Sequence, residues 1–190
     1  MAKTDIHIIK VTESWLMQKA AAFTKGGKES TLTLEKAYRL EHSPMRTQMF
    51  WIEMIAIPTY CSVHLVRHKT WIEHFVQSNR EDRGGNKEAD RNTPINHGMF
   101  TNAQELIFMS QRRLCYGASP ATREIMEDIR ETIGIVDPHL QKFMVPMCVY
   151  RGGLCPDGNC TFKGMQMDHY GENYFKMFKC IPNEMNLRYG

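Results

Sequence analysis

The first third of the chain alternates between strand-like and helix-like patterns of hydrophobic residues. Residues 4–11, TDIHIIKV, partly alternate between apolar and polar side chains and predict a short strand. Thr12 follows at a position suited to capping a helix through SWLMQKAAAF. A second helix is predicted from about Leu32 to Leu40, and the aromatic and β-branched run at 47–57, TQMFWIEMIAI, predicts a longer strand.

The middle of the chain predicts a helix and then an exposed loop. Pro58 suits the first turn of a helix, and we expect that helix to run to Trp71. Gly84, Gly85 and the charged run NKEADR then predict a loop at the surface.

Three further helices are predicted in the second half. The first covers Asn102 to Leu114, with a stripe at spacings of four, three and four whose apolar middle suits the core and whose polar ends are Asn102 and Arg113. The second runs from Pro120 to Ile135 after a capping Ser119, and the third from Asp137 to about Met147. Beyond that point the sequence is rich in turn residues.

Composition limits the classes of protein that fit. A chain of 190 residues with 42% hydrophobic side chains can bury one ordinary core, and its net charge of +3 is far from that of a typical nucleic-acid binder. No apolar run approaches the roughly 20 residues that a membrane-spanning helix needs. We therefore expect a cytoplasmic, one-domain protein for which a nucleic-acid or membrane partner is disfavoured.

Residues 64–80, HLVRHKTWIEHFVQSNR, hold three histidines, two arginines and a lysine around Trp71 and Phe75. If the preceding helix continues through it, His64, Arg67, His68 and Trp71 fall within one arc of about 100°. Arginine offers a forked donor pair to phosphate, and tryptophan and histidine can stack on a planar ring, so a nucleotide or a flavin fits this face. The alternative is an ordinary solvated helix face, and zinc on the two histidines is disfavoured because no acidic ligand accompanies them.

Read in order, these features resemble the flavin-dependent thymidylate synthases. The family's R-H-R helix motif is matched by Arg67, His68 and Lys69, and its following serine and arginine by Ser78 and Arg80. Upstream, Ser43 and Pro44 match a serine-proline segment that precedes a strand and a proline. Downstream, Asn102, Ala103, Leu106 and Arg113 follow an N-A-R-S-L helix that ends in an arginine, and Glu124 and Ile125 follow as a later pair.

The resemblance covers roughly residues 4 to 150 and implies a fold and an activity. It implies an α/β fold of mixed helices with a small antiparallel sheet over residues 1–150. We expect residues 151–190, which lie outside the resemblance, to form a cysteine-containing C-terminal extension packed on that domain. The resemblance further implies a homotetramer that binds FAD and dUMP where subunits meet. The family transfers a one-carbon unit from methylenetetrahydrofolate to uracil C5 and uses NADPH to reduce the flavin.

The resemblance also implies roles for individual residues. Arg113 would be the catalytic residue, holding and polarising the pyrimidine, because a fixed arginine stabilises negative charge on the ring. The implied FAD-binding residues are Ser43, Arg67, His68, Lys69 and Asn102, and the implied substrate-binding residues are His64, Gln77, Ser78, Arg80 and Arg113.

Several positions depart from the family pattern. They are His64 for a glutamine, Lys69 for an arginine, His74 and Phe75 for an asparagine-glutamate pair, Arg46 for an acidic residue, Gln104 for an arginine and Phe108 for an asparagine. These exchanges alter charge and hydrogen-bonding capacity. We therefore expect the substrate to be dUMP or another pyrimidine nucleotide such as dCMP, and the transferred group to be methyl or hydroxymethyl.

The cysteines near the C-terminus lie outside the family pattern. Cys148, Cys155 and Cys160 can bind zinc with Cys180 or His169 as a fourth ligand, since zinc prefers four thiolate or imidazole groups. The alternative is a set of reduced cysteines packed against the helices. Besides an enzyme that acts on dUMP and a same-fold enzyme that acts on another pyrimidine nucleotide, a third hypothesis is a non-catalytic, zinc-containing nucleic-acid-binding module. The small net charge disfavours it.

Overall fold

A four-stranded antiparallel sheet forms one layer of the molecule. The computed structural model describes residues 4–155, 157 and 160–178. The strands are β1 (Asp5–Lys10), β2 (Met49–Pro58), β3 (Ile72–Val76) and β4 (Pro94–Asn102), and their order in the sheet is β1-β2-β4-β3. All three pairings are antiparallel. This confirms the mixed fold with a small antiparallel sheet that the family resemblance implies.

Helices cover one face of the sheet and continue into the C-terminal part. They are α1 (Ser14–Phe23), α2 (Leu34–Arg39), α3 (Thr59–Leu65), α4 (Ala103–Arg113), α5 (Pro120–Val136), α6 (Pro138–Gln141), α7 (Met147–Tyr150), α8 (Lys163–Gln166) and α9 (Glu172–Lys176). Short 3-10 turns occupy Ser43–Thr47 and Glu81–Arg83, and a π-helical turn, Met167–Gly171, joins α8 to α9. None of these helices is long and apolar enough to cross a membrane.

Alternation of side chains places β2 at the centre of the core. Phe50, Ile52 and Met54 are fully buried, while the residues between them face outward. Near its end the strand shifts register against β4, and Ala56 there has a φ of +55°. The buried side chains of α4 and α5 pack on the same core, which Tyr170, Tyr174 and Phe175 of the C-terminal helices join. Through these three side chains, the described part of the chain beyond residue 150 packs against the residues before it.

The helix expected from Pro58 to Trp71 is shorter than predicted. It ends at Leu65, and the chain then turns into β3, where Ile72 is buried and pairs with Thr101 of β4. Trp71 takes a φ of +59° at this turn. His68 is 6% exposed and Trp71 is 60% exposed, so these two residues do not share a helical face. The helical interpretation of residues 66–71 was wrong because the chain turns there so that residues 72–76 can pair with β4.

Other local predictions have mixed outcomes. Thr12 does not cap α1, whose N-cap is Glu13; its hydroxyl donates to the Thr47 carbonyl and accepts from the Met49 amide. The helix expected from Asp137 to about Met147 is divided into α6 and α7, although Asp137 does cap its start by accepting from the Leu140 amide. The Asp137 carboxylate also accepts from Lys10 and Tyr38, which ties β1 and α2 to this corner.

Candidate functional site

A cavity of about 600 Å³ opens between the segment that follows α3 and one face of α4. Its size is within the range of small-molecule sites. Four cationic side chains line it, together with two rings and two carboxylates: Arg67, Lys69, Arg112, Arg113, His68, Phe108, Glu105 and Asp157. The excess of positive charge favours an anionic ligand, and the rings offer it apolar surface.

Arg113 is held in the cavity wall by two hydrogen bonds. Its Nε donates to Nε2 of His68 at 3.0 Å, and its Nη2 donates to the backbone carbonyl of His64 at 2.6 Å. Burial, followed by the nearby charges of Arg67 and Arg112, lowers the pKa of Arg113. The arginine predicted to act on the ring is therefore partly desolvated and fixed in orientation.

Glu105 lies one step further along the same chain of hydrogen bonds. Its Oε1 and Nδ1 of His68 are 3.1 Å apart, and the side chains of both residues are about 5% exposed or less. The Glu105 amide donates to the side chain of Asn102, which caps α4. Asn102, predicted to bind the cofactor, therefore serves as a buried helix cap.

His64 sits at the end of α3, beside Arg113. Its Nδ1 lies 2.9 Å from the hydroxyl of Thr122 in α5, so the ring links α3 to α5. Burial and the positive charges of Arg113, Arg67 and Arg91 lower the pKa of His64. A neutral imidazole is thus favoured next to the basic cavity.

His74 connects the cavity segment to the sheet. One of its ring nitrogens, Nε2, bonds the carbonyl of His68 at 2.8 Å, and the other, Nδ1, bonds Nε2 of His97 at 2.9 Å. His97 is 1% exposed, and its Nδ1 has no hydrogen-bond partner among the residues that the structure describes. Burial and the neighbouring His74 lower the pKa of His97 to about 4.

Three predicted substrate-binding residues lie away from this cavity. Gln77 continues β3 at the sheet edge, where its side chain accepts from the Asn96 amide. The Ser78 hydroxyl accepts from the Arg80 amide, and the Arg80 guanidinium makes a forked pair with Asp82 at 2.9 and 2.7 Å. Arg80 and Asp82 are both more than 60% exposed. Within one copy of the chain, these residues do not join Arg113.

Two of the positions that depart from the family pattern contact each other. Arg46, in the 3-10 turn that Ser43 begins, donates from Nε to Oε1 of Gln104 in the first turn of α4. The same guanidinium lies 5.9 Å from the centre of the exposed Trp71 ring. Ser43 itself is exposed and stands outside the cavity lining.

Four cysteines belong to the lining of this cavity. Cys148, Cys155 and Cys160 line it with Cys115, which follows α4. Burial, and to a smaller degree the other thiols, raises the pKa of Cys148 to about 11, and its Sγ donates to Gln166. No three His, Cys, Asp or Glu side chains in the described ranges are grouped so as to hold a metal ion. Cys180 lies outside those ranges, and His169 lines a different pocket with Tyr170.

Glu105 is the site residue that the sequence prediction missed. The spacing Asn102-x-x-Glu105 at a helix start is that of a capping box, in which the glutamate ordinarily reaches back to the cap. That pattern indicates a structural role. Only the structure shows that the carboxylate instead contacts the ring of His68 in the cavity wall.

Comparison with known proteins identifies the fold. No family model matches the sequence, and no curated protein matches it. The UMP/dUMP methylase PolB from Streptomyces cacaoi, solved with 5-Br dUMP, is similar in structure with a TM-score of 0.55 and 14% identity, over 74% of this chain and 95% of that one. Thymidylate Synthase X from Helicobacter pylori, solved with FAD and dUMP, gives a TM-score of 0.56 and 10% identity, over 74% of this chain and 97% of that one. The chain therefore has a flavin-dependent thymidylate synthase-like fold with a divergent sequence.

Proposed function

We propose that this protein is a cytoplasmic enzyme that methylates C5 of a pyrimidine nucleotide, with dUMP as the first candidate. The observation that carries the proposal is Arg113, fixed by His68 and His64 in a basic cavity. The two structural neighbours support it, because one is a UMP/dUMP methylase and the other a thymidylate synthase solved with dUMP.

The cavity suits a ligand that combines phosphate with a planar ring. Arg67, Lys69 and Arg112 supply positive charge, and the ring of Phe108 meets that of His68 edge-on at 5.9 Å between centres. Guanidinium groups bind phosphate in forked pairs, while the ammonium of Lys69 acts as a point charge. The same donor set fits FAD, which Thymidylate Synthase X holds. Bound there, FAD would supply electrons from NADPH to reduce the one-carbon unit from methylenetetrahydrofolate.

Arg113 accounts for activation of the pyrimidine. Carbon C5 becomes nucleophilic when negative charge on the ring is stabilised, and a preorganised, partly desolvated guanidinium beside a ring carbonyl can do this. Arg113 is held by its Nε and Nη2, so its orientation does not depend on the ligand. The proposal needs no protein nucleophile.

Assembly with further copies of the chain would complete the site. Gln77, Ser78 and Arg80 lie outside the cavity of one copy, although the resemblance assigns them to the nucleotide. The sheet face next to them carries the exposed ring of Phe75 and the half-buried ring of Trp51, which contact each other at 5.3 Å between centres. We include a homotetramer in the proposal, to be tested by the native mass.

Product analysis with a panel of nucleotides tests the function. Purified protein is supplied with FAD, NADPH and methylenetetrahydrofolate and with dUMP, UMP or dCMP, and the product mass is measured. A methylated product from dUMP is expected. Turnover of UMP or dCMP alone, or a hydroxymethylated product, would indicate an enzyme of the same fold with a different substrate or a different transferred group. Absence of any product, combined with nucleic-acid affinity that falls steeply with salt, would overturn the proposal in favour of a binding module.

Zinc on Cys148, Cys155, Cys160 and Cys180 stays a prediction from the sequence. Elemental analysis of the purified protein decides it, with one zinc per chain expected if the thiols bind it. If protein prepared without chelators contains no zinc, the result favours the alternative in which the cysteines are reduced and bind no metal.

A further inference from the structure

Glu105 is a buried carboxylate at one wall of the cavity, joined to Arg113 through the ring of His68. We propose that Glu105 is a positioning residue: it fixes the tautomer of His68 and thereby the orientation of the Arg113 guanidinium. The inference rests on the proposed function for its kinetic consequences, while its structural part stands on the hydrogen bonds themselves.

The donor and acceptor inventory determines the direction of these bonds. Arginine has no acceptor, so the 3.0 Å bond between Arg113 and Nε2 of His68 requires a lone pair on Nε2. A neutral imidazole then carries its proton on Nδ1, and that N–H donates to Oε1 of Glu105 at 3.1 Å. The other tautomer would set the N–H of Nε2 against the N–H of Arg113.

The position of Glu105 suits a carboxylate. It lies in the first turn of α4, where the helix dipole stabilises negative charge, and its side chain is 4% exposed. The positively charged side chains of Arg67 and Arg113 line the same cavity as Glu105. The family's N-A-R-S-L element has serine where this chain has Glu105, so the resemblance does not supply this role.

The consequence for Arg113 is a guanidinium held from two sides. His68 accepts from Nε and the His64 carbonyl accepts from Nη2, while Nη1 has no hydrogen-bond partner within the described part of the chain. Because the bond to His68 exists only for one tautomer, loss of the Glu105 carboxylate frees one side of the arginine. Ring stabilisation depends on that geometry, whereas attraction of an anion depends mainly on charge.

Nitrogen NMR of the histidines tests the structural part without any assumption about activity. In protein labelled with ¹⁵N-histidine, with His68 assigned by comparison with H68Q, the expected spectrum shows a proton on Nδ1 and a bare Nε2. In E105A the expected spectrum shows His68 in a mixture of tautomers. A His68 with its proton on Nε2 in the unaltered protein would overturn the inference, even if E105A failed to fold.

Kinetics test the functional part. We expect E105A to lower kcat by about 100-fold, the lower end of the loss caused by removing one preorganised donor to the developing charge, with KM changed less than about threefold. Formate, which fits the space left by the carboxylate, should restore part of kcat in E105A and have no effect on E88A, a surface control. Equal losses in kcat and affinity without rescue would indicate a merely structural Glu105. If the unaltered protein turned over no nucleotide, the proposed function would fail, and the NMR result would still decide the tautomer.

Discussion

Arg113 and His68 meet at 3.0 Å between Nε and Nε2, which joins the last residue of α4 to the segment between α3 and β3. The contact brings together two of the features that define the family resemblance, 45 residues apart in sequence. It also places a donor-only side chain on a ring nitrogen that must stay unprotonated. Changes to either partner therefore act on the geometry of the site as well as on its charge.

The substitution R113K keeps the positive charge and removes the planar fork. Lysine cannot bond His68 and the His64 carbonyl with the same geometry and still present a donor to the ligand. We expect affinity for dUMP to fall by about tenfold or more, measured by calorimetry. The matched control is R83K in the exposed turn Glu81–Arg83, which should bind as the unaltered protein does. Equal affinities for R113K and R83K would contradict the role of the fork.

The contact between Arg46 and Gln104 predicts that these two positions change together. Q104R alone sets two guanidinium groups against each other, and R46E added to it restores an opposite-charge pair in the family's pattern. Because Arg46 is exposed, we expect a coupling free energy of only about 0.5 to 1 kcal/mol, from a double-mutant cycle of urea unfolding. Strict additivity of the two changes would show that the contact is absent in solution.

The low pKa of His97 predicts acid sensitivity of the fold. Burial and the nearby His74 lower that pKa to about 4, whereas in the unfolded chain histidine titrates at about 6.5. The unfolded state therefore takes up a proton first as the pH falls, so the stabilisation is complete above about pH 6.5 and is lost progressively down to about pH 4. Between about pH 7.5 and about pH 5 this site should cost about 2 kcal/mol of the free energy of unfolding.

The substitution H97Q isolates that contribution. Urea unfolding of H97Q should show a smaller loss of stability between the two pH values than the unaltered protein shows, although its stability at neutral pH is lower because the bond to His74 changes. The same loss in both proteins would assign the acid sensitivity to other groups.

Trp71 carries backbone strain at the turn into β3. Its φ of +59° disfavours a bulky side chain, and the ring is 60% exposed. Replacement by alanine or by asparagine removes the ring and its contact with Arg46 equally. Asparagine tolerates the left-handed region better, so W71N should be more stable than W71A by about 0.5 to 1 kcal/mol in thermal unfolding. The reverse order would indicate that φ is negative there in solution.

Much of the fold can be predicted from local patterns, and the exceptions have physical causes. The apolar repeats of α4 and α5 and the aromatic run of β2 are visible in the sequence because one face of each is buried and apolar. Strand β4 also alternates, with Ile95, His97, Met99 and Thr101 all buried, yet two of these four are polar. Its pattern was not recognised because two of its four inward-facing side chains are polar, so the apolar alternation is incomplete.

The candidate site shows the same division. The structure brings Arg67, His68, Lys69 and Arg113 together around one cavity, although the resemblance assigns the first three to FAD and Arg113 to the pyrimidine. It leaves Ser78 and Arg80 outside the cavity of one copy, whereas the resemblance assigns them to a nucleotide site between subunits. Glu105 was missed because its spacing from Asn102 has a sufficient explanation as a helix cap.

Release of tritium from C5-labelled dUMP tests the central claim most directly. With FAD, NADPH and methylenetetrahydrofolate present, the unaltered protein should release tritium in proportion to the thymidylate formed, and omission of the folate should abolish thymidylate formation. No release from labelled dUMP, UMP or dCMP by folded, flavin-loaded protein would contradict the assignment of this cavity to pyrimidine methylation.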